Sequence, residues 1–381
     1  MSLLQDAFRN IFHCDAEVTA SAPGRLEILG NHTDYNEGVV LSCAVDQRTT
    51  VLMAANPEPV VELYDHRARQ QARFKLDPLD MANAPRWAYY PAGVVDELRK
   101  RNMQVAGFKA LISSTVPLSA GMSSSAAFET AILFGLMKLN DLKIAKADAA
   151  RIGQGVENNF LGLKTGLLDQ FSSIFGVEDA FILSDFRSVE VLETVTMQPG
   201  ASILVVNSMV KHNLVDSEYN VRREACESCA AKLAARHKHV KTLRDVSSEL
   251  LESEKNILSD VEYRRAKHVV GECERVMQAV DFLKNDQIEQ FGSLWWQSHE
   301  SSRVNFENST PELDKLIEFS HRIPGCLGAR LSGGGFGGIS IHLVKNEALD
   351  DYQQNICRMY EDFCGKTPQT IICHPGSGAK A

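Results

Sequence analysis

The chain has 381 residues, 44% of them hydrophobic, and a formal net charge of −9. That length supports about two or three domains with full cores. The acidic balance lacks the basic stripe of a nucleic-acid binder, and no apolar run approaches the roughly 18 residues a membrane-spanning helix needs, so neither nucleic acid nor membrane is expected as a partner.

The first stretch, MSLLQDAFRNIFHCD, spaces Leu4, Ala7, Phe8, Ile11 and Phe12 as one face of an amphipathic helix and carries an acid at Asp6, unlike a signal peptide. Val18–Ala22, Val39–Val45 and Thr49–Ala54 then read as strands. Between the first two lies PGRLEILGNHTDYNEG, Pro23 to Gly38. It begins strand-like and becomes a polar loop from Asn31 to Glu37. Arg25, Asn31, His32 and Asp34 are candidates to face one concave site; a solvated hairpin turning at Asn36-Glu37-Gly38 is the alternative. Further on, Arg86 to Glu97 puts aromatics ahead of a helix, where Trp87 either stacks on a base or fills the core.

Around the next stretch, Val116 to Ala127 (VPLSAGMSSSAA), the chain is organised. It sits between a strand-like run, Phe108–Ile112, and a helix-like run, Ala126–Leu139. A small-residue turn opening a helix presents backbone N–H groups at the positive end of the helix dipole, which suits an anion and phosphate above all. Gly121 and Ala120 let the anion approach, and Ser119, Ser123, Ser124 and Ser125 add hydroxyls for phosphate or metal. A serine-rich N-cap is the plainer reading.

A second helix-like run, Ala145–Phe160, contains Glu157. GLLDQFSSIFG, Gly166 to Gly176, follows and sets Asp169 among apolar residues. A carboxylate there is costly unless paired, and in a cleft it is a candidate general base. Ala201–Asn207 reads as a buried strand, with a lobe boundary placed just before it near Pro199-Gly200. Ser217 to Lys284 is long, helical and charged, a pattern read as a solvated face. It holds a lone CxxC, Cys226 and Cys229, without the second pair a zinc site needs. The nine cysteines, an odd number spread from Cys14 to Cys373, point to reduced thiols in a cytoplasmic protein. Helix is also expected through Ile288–Val304, and a last strand at Thr370–Cys373.

Ala329 to Val344 reads ARLSGGGFGGISIHLV. Gly333 to Gly338 spells GxGxxG, yet a strand follows where a dinucleotide fingerprint must open a helix, so that reading fails. Five glycines in six residues mean backbone lying against something, or a loop that needs positive φ. Gly365-Lys366-Thr367 has the tail of a Walker A loop without its first glycine.

Three blocks thus stand in order: PGRLEILGNHTDY, VPLSAGMSSSAA and ARLSGGGFGG. Together they resemble the galactokinase, homoserine kinase, mevalonate kinase and phosphomevalonate kinase (GHMP) superfamily. The first block, SEYNVRRE (Ser217–Glu224), VENNF with GLLDQ, and the closing PGSGA narrow the likeness to its galactokinase branch. The resemblance implies a two-lobed α+β fold. An S5-like N-terminal lobe would span residues 1–199 and a ferredoxin-like C-terminal lobe 200–381, with ATP and a sugar in the cleft. It implies Asp169 as catalytic carboxylate and Arg25 as transition-state arginine. Asn31, His32, Thr33, Asp34 and Tyr219 would contact the sugar. Ser119, Ala120, Gly121, Met122, Ser123, Ser124 and Ser125 would wrap the ATP phosphates, with Trp87 near the adenine and Ser125 and Glu157 holding Mg²⁺. A sugar 1-kinase acting on galactose, as a monomer or weak homo-oligomer, is the expectation.

The branch usually reads GRVNLIGEHTDY. Here Glu27 stands in place of Asn, and Asn31 in place of the sugar-binding Glu. Glutamate only accepts when ionised, whereas Asn donates and accepts, so the exchange bears on which sugar is taken rather than on the reaction. A kinase of another hexose, an amino sugar or a uronic acid is the first alternative. A non-catalytic sugar sensor is the second.

Overall fold

The computed structural model describes the backbone of every residue except 1, 118–120, 198 and 212–214, and side chains except also those of 2, 211 and 215–217. In chain order the elements are α1 (Ser2–Phe12), β1 (Val18–Leu29), β2 (Val39–Asn56), β3 (Val60–Asp65), β4 (Gln70–Leu76), β5 (Leu79–Asp80), α2 (Tyr89–Lys100), β6 (Gly107–Ser114), α3 (Ser124–Leu139), α4 (Lys146–Gly155), α5 (Leu168–Phe175), β7 (Ala180–Asp185) and β8 (Glu190–Thr196). After these come β9 (Ala201–Lys211), α6 (Val215–Ala234), α7 (Ser248–Ser253), α8 (Asp260–Lys284), α9 (Ile288–Ser301), α10 (Pro311–Ser320), β10 (Cys326–Ser332), β11 (Gly337–Lys345), α11 (Leu349–Cys364) and β12 (Gln369–Cys373).

The strands form two sheets. The first runs β5-β4-β3-β6-β2-β7-β8 with β1 also paired to β2; the second runs β10-β11-β9-β12. Helices α2 to α5 cover one face of the first sheet through a core that includes Val51, Met53, Phe108, Leu136 and Phe171. A second core joins the sheets: Leu26, Ile28 and Leu41 from the first meet Ile203, Val205, Ile341 and Leu343 from the second, with Trp295 of α9 among them. Such α+β layering about shared apolar faces agrees with the fold that the resemblance implied.

The N-terminal helix forms as expected, burying Phe8 and Phe12 against Leu52, Ala54 and Leu111. Val39–Val45 and Thr49–Ala54 are one strand rather than two. The polar Asp46-Gln47-Arg48 between them stays extended because the segment after β12 lies against it: Gly376 N–H donates to Ala44 O, and Arg48 donates to the carbonyls of Ser377 at 2.5 Å and Gly378 at 2.8 Å. That segment continues to Lys380, which pairs with Ser21 of β1.

The expected helix Ala145–Phe160 ends as α-helix at Gly155 and widens into a π turn, Val156–Phe160, which carries Glu157. Such turns gather at functional sites. The long charged stretch divides at Ser247 and Ser259, each of which caps the following helix with its hydroxyl; Ser259 and Glu262 form a capping box. Its reading as a solvated face fails on α8, where Glu262, Arg265, His268 and Glu272 are buried. Cys226 and Cys229 are free thiols on α6, each pushed up to about 12 by burial.

Candidate functional site

Arg25 lies just past a β-bulge. The β1–β2 register slips between Pro23 and Arg25, where Pro23 has no N–H to give the ladder. The bulge turns Arg25 toward the serine turn: its backbone N–H donates to Met122 O at 3.1 Å, and its Nη1 to Gly121 O at 2.5 Å. The guanidinium then clasps Asp169 at the start of α5, with Nε and Nη2 at 2.9 and 2.7 Å from Oδ1. Arg25 is buried, while the Asp169 side chain keeps 31% exposure.

The other Asp169 oxygen accepts from the Ser123 hydroxyl. Ser123 has left-handed backbone (φ 53°), and its side chain caps none of the α3 amides. The N-cap alternative therefore fails: the hydroxyl turns to Asp169 and leaves the helix N-terminus to something else. Gly121 (φ 69°) is exposed and Ser123, Ser124 and Ser125 are half-buried, whereas Met122 is core. Ser119 and Ala120 lie outside the described residues.

Ser125 Oγ lies 3.2 Å from Glu157 Oε1, and the Thr165 hydroxyl donates to Glu157 Oε2 at 2.7 Å. Burial, followed by the charge of Asp169, raises Glu157 above the usual carboxylate range. Behind it Glu129 is fully buried. Gln170 donates to its Oε1 at 2.7 Å, while its Oε2 has no partner among the described residues. Burial and then the charge of Glu157 hold Glu129 well above the ordinary value. Sequence reasoning missed Glu129, which reads simply as one acid inside the helix after the serine turn.

A cavity of about 260 Å³ opens beside Asp169, lined among others by Arg25, Glu27, Asn31, His32, Asp34, Thr165, Tyr219, Gly333 and Gly334. Asp34 accepts from Leu168 N–H at 3.3 Å, and burial raises its carboxyl. His32 Nε2 is 3.1 Å from Gly334 O, which can only accept, so Nε2 carries the hydrogen and Nδ1 accepts from the Tyr35 hydroxyl at 2.9 Å. Burial lowers His32 to about 4, so the ring is neutral at physiological pH. Tyr219 packs 5.0 Å from it, centroid to centroid.

Thr33 falls elsewhere. It is fully buried, its hydroxyl lies 2.8 and 2.7 Å from the carbonyls of Gly30 and Val39, and it does not line the cavity. It closes the turn of the loop instead of facing a ligand. Asn31 lines the cavity, but its side chain is fully buried and engaged with the protein.

The glycine block forms part of the wall, against Asn31 and His32. Gly333 O and Gly334 O accept from Asn31 Nδ2 at 2.8 Å and His32 Nε2 at 3.1 Å. Gly335 has φ 82°, and a Cβ there would sit 2.2 Å from Asn308 O. Both sequence arguments for the block, close backbone approach and positive φ, hold in the structure. Trp87 is half-buried against Phe128 at 6.4 Å. Its neighbours Arg86, Tyr89 and Tyr90 help line a further cavity of about 410 Å³.

The fold belongs to a known class of phosphotransferases. Residues 89–177 match the model of the GHMP kinases N-terminal domain, and 279–362 that of the GHMP kinases C-terminal domain. A crystal structure of mevalonate kinase, 18% identical, superposes with a TM-score of 0.62 over 94% of this chain and 99% of its own, a likeness of fold alone. Within the class the match is narrower, since residues 6–55 fit the galactokinase galactose-binding signature. The galactokinase of Mannheimia succiniciproducens is 37% identical, covering 99% of this chain and 98% of its own. That of Haemophilus influenzae is 38% identical over 96% and 94%. The structure of Lactococcus lactis galactokinase complexed with galactose, 28% identical, superposes with a TM-score of 0.94 over 100% and 99%. The chain belongs to the galactokinase family of GHMP kinases.

Proposed function

We propose that this chain is an ATP-dependent kinase that transfers a phosphoryl group to the C1 hydroxyl of galactose, giving galactose 1-phosphate and ADP. One observation carries the reading: a single carboxylate, Asp169, is bonded both to Arg25 at the sugar-sized cavity and to Ser123 at the uncapped N-terminus of α3. Sugar and triphosphate would meet on that group.

In the reaction the anomeric O–H bond breaks as its oxygen attacks the γ-phosphorus, the P–O bond to ADP breaks, and the proton passes to Asp169. Arg25 holds one Asp169 oxygen in place and lies where charge develops on the transferred oxygens. The amides from Gly121 to Ser125 cradle the phosphates, and Ser119 and Ala120 are proposed to join them. Trp87 borders the adenine. His32, Asp34 and Tyr219 orient the sugar.

The donor set fits Mg²⁺. Ser125 and Glu157 are hard oxygen ligands side by side, and no cluster of three His, Cys, Asp or Glu occurs among the described residues to cage a metal without phosphate. Burial raises the carboxyls of both Glu157 and Glu129, and a cation bound beside them would favour their ionised forms. Bound there with the nucleotide, Mg²⁺ supplies charge neutralisation on the phosphates. The proposal includes a cytoplasmic monomer or weak homo-oligomer with lobes at 1–199 and 200–381; separately, no helix among the described residues is long and apolar enough to cross a membrane.

ADP release with a panel of hexoses, amino sugars and uronic acids tests the proposal. Galactose as the best substrate, with galactose 1-phosphate as product, is the expected result. Preference for another sugar, or galactose binding without turnover, overturns it.

A further inference from the structure

The cavity wall holds a carboxylate that is only half used. Glu27, on β1, lines the cavity beside Asn31. Both hydrogens of the Asn31 amide are spent, on Glu27 Oε1 at 2.8 Å and Gly333 O at 2.8 Å, and its oxygen accepts from Asn308 Nδ2 at 2.9 Å. Asn31 has no donor left for a ligand. Glu27 Oε1 accepts from Asn31 and from Arg330 Nη2 at 3.0 Å, while Oε2 has no hydrogen bond among the described residues.

The pairing with Arg330 is also one-sided. An arginine that serves only to neutralise a buried carboxylate does so best through a fork of two parallel bonds. Here Arg330 is fully buried, its Nη1 is given to the carbonyls of Glu27 and Ile28 at 3.2 and 2.7 Å, and its Nε has no partner among the described residues. Glu27 is thus anchored through one oxygen and leaves the other at the wall of a polar cavity. A fixed acceptor there is matched by a hydroxyl of whatever occupies the cavity.

Resting on the sugar-kinase reading, we propose that Glu27, and not Asn31, is the residue that reads a sugar hydroxyl and sets which sugar is accepted. Asn31 acts as its positioning residue, tying the carboxylate to the glycine block. A site built to bind a hydroxyl discriminates strongly against sugars that lack it or turn it away.

The test is a cycle between Glu27→Gln and the set of 2-, 3-, 4- and 6-deoxygalactose, read by KM and kcat for each sugar. Losing one charged hydrogen bond should raise the galactose KM roughly 10- to 100-fold while kcat stays within about threefold. For one deoxygalactose, already poor with the unaltered enzyme, Glu27→Gln should change kcat/KM by less than about threefold, because the partner hydroxyl is gone. Equal losses on galactose and all four analogues would make Glu27 merely structural and overturn the proposal. So would an unchanged galactose KM. If Glu27→Gln does not fold, Glu27→Asp keeps the charge for Arg330, withdraws the carboxylate from the cavity, and is judged by the same pattern. Should the unaltered protein phosphorylate no sugar, the kinase reading fails by itself, and calorimetric galactose affinity of the same variants still decides the role of Glu27.

Discussion

Arg25 and Asp169 are 144 positions apart in sequence and share an ion pair in which two guanidinium nitrogens converge on one carboxylate oxygen. If Asp169 takes the substrate proton, Asp169→Asn should lower kcat by about 10²- to 10⁴-fold while the amide oxygen still accepts from Arg25 and keeps the fold. Arg25→Met should lower kcat by at least about 10²-fold and also cost stability, since the buried side of Asp169 loses its partner. Steady-state kinetics with thermal unfolding checks both, and near-normal kcat in either folded variant rejects the assignment. These residues stand out in the sequence because their types are unusual for their surroundings: a carboxylate among Leu167, Leu168 and Phe171, and a basic residue inside an apolar strand. Thr33 shows the limit of such reading, because a hydroxyl that bonds its own loop and one that meets a ligand look alike until the loop is folded.

Among the elements, α8 does most to hold the substrate loop. Glu272 is fully buried, and its Oε2 accepts the backbone N–H of Gly30 at 2.9 Å and of Asn31 at 2.8 Å, while Arg275 Nε donates to Oε1 at 2.8 Å. Against the cost of burial, the charge of Arg275, then that of Arg330, with the Asn31 amide behind them, holds Glu272 well below the usual carboxylate range. Glu272→Ala should lose about 3 kcal/mol of stability in urea titrations and raise the galactose KM, because two loop amides and Arg275 are left unmatched. A stability change under about 1 kcal/mol would refute this role. Sequence alone hides Glu272: it stands in a run of mixed charges whose inward face is fixed by tertiary packing, not by local pattern. Strands β3, β4, β7 and β8 are equally hard to see, since several are short and β8 alternates polar residues on a half-exposed face.

At the scale of the molecule, buried neutral histidines link stability to pH. His342, fully buried between Ser320, Ser340 and Tyr352, is lowered to about 3 by burial and, less, by His299. The unfolded chain takes up this proton below about pH 6.5 and the folded chain refuses it, so the contribution of His342 is lost as pH falls. The stability of the unaltered protein should therefore drop, relative to His342→Asn, by about 3 kcal/mol between pH 6.5 and 4, measured by denaturant titration. A constant difference across that range contradicts the linkage.

The segment from His374 to Lys380 gives the molecule its last global tie. Gly378 N–H donates to Gly176 O, Ala379 N–H to Ser173 O, and Lys380 N–H to Ser21 O, so this strap fastens α5, which carries Asp169, to β1, which carries Arg25. The ribosome makes the pieces in the opposite order. Domains generally fold from the N-terminal side during synthesis, but here the aspartate segment is braced by residues about two hundred positions later (Gly378 on Gly176), and the arginine strand by one about three hundred and sixty positions later (Lys380 on Ser21). The strap is therefore complete only after residue 380 has left the exit tunnel, and a nascent chain stalled before His374 lacks these bonds between α5 and β1.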